Sequence, residues 1–106
     1  MSIDQVDVVD SVGVDTSTGH VVLTVSDHLE WDEEHLFLLQ EKLNTYLRFI
    51  EGGELLSFYP DAEGRKIRIS IVFKFQPNEV AEIFLKKVRA MVGEGGIKLE
   101  WRVFKM

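Results

Sequence analysis

The sequence predicts an α+β fold, a two-layer sandwich with two helices on one face of a mainly antiparallel sheet. Three observations lead there. Residues 32–52 and 78–92 carry apolar side chains at helical spacing and end on glycines. Residues 20–26, 66–75 and 97–104 alternate in character as half-buried strands do. The elements also fall in the order ββαββαβ, and without the first strand the remaining βαββαβ is the ferredoxin-like pattern. Residues 1–106 are expected to form one α+β domain, since 106 residues suffice for a single core.

The first strand is expected within Ile3 to Val14. Val6 and Val8 alternate around Asp7, Val9 breaks the phase, and Val12 and Val14 resume it, which predicts a β-bulge near Val8–Val9. Asp15-Thr16-Ser17-Thr18-Gly19 reads as a turn. The second strand, His20 to Ser26, places Val21, Leu23 and Val25 on one face and closes a hairpin with the first.

The first helix is expected from Asp32 to about Gly52. Its stripe is Leu36, Leu39, Leu43, Tyr46, Leu47 and Ile50, and Gly52-Gly53 ends it. Glu54 to Tyr59 is a short apolar run read as a strand. The turn Pro60 to Gly64 then makes a long hairpin connection to the alternating strand Lys66 to Phe75. The second helix is capped by Asn78 and buries Val80, Ala81, Phe84, Val88, Met91 and Val92. Ile97 to Phe104 is the last strand, with Ile97, Leu99, Trp101 and Val103 on its inner face.

Composition excludes several classes. There are no cysteines, hence neither disulfides nor thiol chemistry, which fits a cytoplasmic protein. No apolar run approaches the length of a membrane span, and Met1 to Gln5 lacks the pattern of a signal peptide. The net charge of −6 argues against nucleic acid and anionic membranes as partners. The charge is divided unevenly. Residues 1–54 carry 12 acidic and 2 basic side chains, and residues 55–106 carry 6 acidic and 10 basic. The halves should attract, within one molecule or between two.

Chemistry-bearing residues concentrate between Ser26 and Leu36. Asp32 reads as a helix N-cap, followed by Glu33 and Glu34 in the first turn, and Trp31 with Leu36 has the spacing of a hydrophobic staple. Asp27, His28, Asp32 and His35 together offer imidazole and carboxylate for a divalent metal or for acid–base work. The separation of His28 and His35 matches no standard ligand spacing, and no cofactor signature occurs anywhere in the chain. Gly93-Glu94-Gly95-Gly96 follows a helix and so aims no helical N–H groups at a phosphate.

Two other features point to binding. Phe37, Leu38 and Phe49 fall off the apolar stripe of the first helix and predict a second buried surface on it, such as a dimer contact. With both helices on one side, the other side of the sheet shows Lys66, Arg68, Lys74, Arg102 and Phe104 beside Val22, Thr24, Val72, Lys98 and Glu100. That face is basic on an acidic protein and lacks the paired stacking aromatics of an RNA-binding sheet.

The run Val6-Asp7-Val8-Val9-Asp10 through Gly13-Val14-Asp15, then Gly19 through Trp31, His35-Leu36, and Leu39-Gln40-Glu41-Lys42-Leu43-Asn44, resembles a family of small bacterial proteins of unknown function. The resemblance covers nearly the whole chain. It implies a bacterial, cytosolic protein and carries over no activity or catalytic residue. By analogy, small bacterial domains of this kind act as accessory or immunity-type partners of larger proteins. The expectation is therefore a non-enzymatic protein-interaction module that associates with itself as a homodimer.

Overall fold

A computed structural model describes residues 5–6 and 8–104. The elements are β1 (Ser11–Val14), β2 (Val21–Asp27), α1 (His35–Glu51), α2 (Glu54–Phe58), a 3-10 turn at Pro60–Ala62, β3 (Ile67–Phe73), α3 (Glu79–Glu94) and β4 (Ile97–Val103). They build one four-stranded sheet in the order β1-β2-β3-β4. β1 pairs antiparallel with β2, while β2–β3 and β3–β4 are both parallel.

This overturns the expected ferredoxin-like, mainly antiparallel sandwich with two helices. The fold is α+β with a mixed, mostly parallel sheet and three helices. One element accounts for the difference. Glu54 to Phe58 is a helix and not a strand. Gly53, at φ 84°, turns the chain sharply out of α1 in a conformation a side chain disfavours, and Pro60 stops the short helix. Leu55 is buried while Leu56 and Phe58 are exposed, so the run presents one apolar point to the core. Without a strand there, each long helix joins two neighbouring strands, and such a connection makes them parallel. Both crossovers step the same way across the sheet, so the right-handed rule puts α1 and α3 on the same face.

The core lies between that face and the helices. Val21, Leu23, Val25, Ile69, Ile71, Phe73 and Leu99 are all essentially inaccessible, and they meet Leu39, Leu43 and Tyr46 of α1 and Leu85 and Val88 of α3. The strand phases are as the sequence implied, because a period of two is set by alternation alone. The helix stripes are rotated. α1 buries His35, Leu39, Lys42, Leu43 and Tyr46, with Leu36, Leu47 and Ile50 half-buried. α3 buries Ala81, Leu85, Val88 and Val92, whereas Val80 and Met91 are exposed. Asn78 does cap α3, accepting from the Ala81 N–H at 2.9 Å.

β1 is shorter than expected. Val8 and Val9 precede it, so no bulge forms in a ladder there. Ile3, Asp4 and Asp7, which the expected strand included, lie outside the described residues.

Candidate interaction surface

The stretch from Ser26 to Leu36 closes one end of the sheet. Asp27 is the last residue of β2 and continues the inward phase of Val21, Leu23 and Val25, so its carboxylate enters the core. His35 opens α1 one turn before Leu39 and is equally buried. His35 Nε2 lies 2.5 Å from Asp27 Oδ2, and its Nδ1 lies 3.0 Å from the Glu30 carbonyl oxygen. A carbonyl only accepts, so Nδ1 carries a proton. One further proton is then shared between Nε2 and the carboxylate. Burial pushes the Asp27 carboxyl above its ordinary value, opposed by its hydrogen bond and charge interaction with His35.

Trp31 seals this pair. Its ring stacks on the imidazole at 3.6 Å, and its Nε1–H donates to the Phe75 carbonyl at 3.1 Å. Asp32 Oδ1 accepts from the Glu34 and His35 N–H groups, but from ahead of the helix: α1 starts at His35, its N-cap position is Glu34 and not the expected Asp32, and no acidic residue lies in its first turn. His28 is exposed. Of the four residues considered for a metal, the fold thus brings Asp27 and His35 into contact. Among the described residues, no group of three or more His, Cys, Asp or Glu side chains is placed to hold a metal ion.

The second surface on α1 is occupied by the chain's own N-terminal segment. Lys42, fully buried, donates to the carbonyls of Gln5 at 2.7 Å and Val8 at 2.6 Å, and its Nζ lies 3.1 Å from Asp10 Oδ2. The Thr45 hydroxyl donates to the Val6 carbonyl. The Asp10 N–H donates to the Tyr46 hydroxyl, which donates in turn to the Thr24 carbonyl at 2.7 Å. Burial pushes the Tyr46 phenol up to about 12. Leu38 and Phe49 are half-buried against the core, and Phe49 meets Phe58 edge-on at 6.3 Å. Phe37 alone of the three off-stripe residues stays well exposed, at 60%. Lys42 and Asp10 were not singled out by the sequence reading. The signal for Lys42 was its place between Tyr46 and Phe49 at the edge of the apolar arc of α1.

Among the described residues no helix lies over the other side of the sheet. By register its rows run Gly13, Val22, Arg68, Lys98; then Ser11, Thr24, Ser70, Glu100; then Ser26, Val72, Arg102. Arg68 bridges it, donating to Asp15 Oδ2 at 2.8 Å and lying 3.7 Å from Glu100 Oε1. Hydrogen bonds from Ser17, with Arg68 adding to them, hold the Asp15 carboxyl well below the usual carboxylate range. Lys98 and Arg102 are exposed. Lys66 precedes β3 and is exposed, and Lys74 follows β3 with its ammonium 5.6 Å from the Phe75 ring centre. Phe75 and Phe104 border a cavity of about 560 Å³ at the C-terminal ends of the parallel strands, together with Ser26, Asp27, His28, Val72 and Lys74. No helix of the described residues is long and apolar enough to cross a membrane.

Residues 1–105 match the model of a family of unknown function, DUF6572, and the chain belongs to that family. Neither a curated protein nor a solved structure matches it.

Proposed function

We propose that this chain is a non-enzymatic interaction module that associates with itself, as a cytosolic bacterial protein that serves larger partners in an accessory or immunity-type role. The observation that carries the reading is the uncovered sheet. Three of its four strands are parallel, and parallel sheets are almost always covered on both faces. Here one face is left with Val22, Val72, small polar residues and the charges of Arg68, Lys98, Glu100 and Arg102. A second copy is the partner best matched to a surface that carries both signs of charge.

The buried polar groups favour binding over catalysis. Asp27 and His35 bond each other and the backbone, His35 lies beneath Trp31, and both side chains are almost fully buried. Sedimentation velocity over a wide concentration range tests the reading. The expected species has roughly twice the 12.2 kDa chain mass and dissociates on dilution. A 12.2 kDa species at every concentration contradicts self-association.

A further inference from the structure

The two edges of the sheet are unlike. β1 is four residues long and contains Gly13, and a short edge resists pairing. β4 is seven residues long, Ile-Lys-Leu-Glu-Trp-Arg-Val, with neither proline nor glycine. It pairs with β3 on one side, and among the described residues no strand pairs with its other side. The Phe104 N–H donates to the Phe73 carbonyl, and Phe73 sits opposite Val103. Backbone groups alternate in direction along a strand, so those of Lys98, Glu100 and Arg102 face β3. Those of Leu99, Trp101 and Val103 face outward.

We propose that β4 is the dimerisation strand: it pairs antiparallel with β4 of a second copy about a two-fold axis at Trp101, making one eight-stranded sheet. This rests on the self-association proposed above and places it at the sheet edge, in continuation of the open face rather than over it. A two-fold axis through a sheet edge makes the joined strands antiparallel and self-complementary. Three centred registers keep the outward groups opposite one another. An axis at Glu100 sets Glu100 against its own copy and Lys98 against Arg102, like charge on like throughout. An axis at Leu99 pairs Lys98 with Glu100 but leaves Arg102 against Gly96, where the chain is already turning at φ 86°. An axis at Trp101 pairs Glu100 with Arg102 twice, Leu99 with Val103 twice, and Trp101 with itself. Opposite charges and aromatic pairs directly across an antiparallel ladder stabilise it.

The helix side of the same edge fits. A groove of about 810 Å³ runs along β4 and takes in both faces of the edge, with Arg89, Ile97, Leu99 and Trp101 on the helix side and Lys98 and Glu100 on the other. The Arg89 guanidinium lies 5.0 Å from the centre of the Trp101 ring. The second copy's Trp101 and Val103 project to the helix side and would fill that part of the groove.

The test is charge reversal read by sedimentation equilibrium. Arg102→Glu, at an exposed side chain, sets Glu against Glu100 and is expected to weaken the dimer about tenfold or more. Glu100→Arg is expected to do the same. The double variant Glu100→Arg/Arg102→Glu restores the pairing, and an equimolar mixture of the two single variants forms a heterodimer tighter than either variant's own dimer. A wild-type dimer that both single variants leave unchanged, or that the mixture fails to restore, overturns the β4 pairing and leaves self-association standing. A monomeric wild type overturns both.

Discussion

At the scale of single residues, the Asp27–His35 contact explains why the chain between β2 and α1 is ordered as it is. Removing one partner of a buried pair leaves the other uncompensated, so His35→Ala is expected to cost about 3–5 kcal/mol in urea unfolding. Asp27→Asn keeps the acceptor for the Leu29 N–H and offers His35 Nε2 a donor, so it should cost clearly less. The pH dependence separates the two further. Below pH 3.8 the carboxyl is protonated in both folded and unfolded chains. As pH rises from there toward the raised folded value, the unfolded chain releases the proton while the folded chain keeps it. Stability from this group is therefore present at low pH and lost as pH climbs through the folded value. The Asp27→Asn variant should gain in Tm relative to the wild type across that interval. A constant difference between them would contradict a raised carboxyl. Both residues were visible in the sequence as polar positions in apolar phase. Asp27 continues the odd-numbered face of β2, and His35 stands one turn before Leu39. Grouping them with His28 and Asp32 as a candidate metal or acid–base set ignored the phase, and it was the pairing across eight residues that the local pattern could not show.

At the scale of elements, two segments decide the architecture. The first is the α1–α2 junction, where Gly53 takes a left-handed conformation with open space around its Cα. Gly53→Ala should lower stability by about 1–2 kcal/mol through backbone strain. Gly93→Ala, within α3 and with nothing within 4 Å, should raise it by roughly 0.5–1 kcal/mol. Thermal unfolding of both variants checks the contrast, and equal effects would contradict the conformations assigned. The second is the N-terminal segment held by Lys42. Lys42→Ala should speed amide exchange and proteolysis near Val8 to Asp10 while leaving α3 protected. Unchanged exchange there would mean that the apolar contacts of Val9 suffice. The strands and long helices were legible because alternation and helical spacing extend over seven residues or more. A five-residue apolar run such as Glu54 to Phe58 is too short for its period to be counted. That one ambiguity reached far: reading it as a strand changed the connection of α1 and hence the direction of every strand after it.

At the scale of the whole molecule, the helices and core occupy one side of a mostly parallel sheet, and the other side and the β4 edge stand open. The division of charge between the halves, plain in the sequence, is partly used inside the fold. Asp15 from the acidic half meets Arg68 from the basic half, and Lys42 offsets Asp10 within the acidic half. Glu100 lies 3.7 Å from Arg68 while Lys98 and Arg102 remain, and the three alternate along the edge strand in an order that matches a second copy. The sequence marked Arg102 and the open face as binding candidates. It did not mark the edge, because which strand lies outermost is a property of topology. The measurement that tests self-association through the sheet most directly is amide exchange along β4, followed by NMR at high and low protein concentration. The Leu99, Trp101 and Val103 amides should be protected when the protein is concentrated and exposed on dilution, with Glu100 and Arg102 protected throughout by β3. Exchange of the three outward amides at the same fast rate at every concentration would contradict the account.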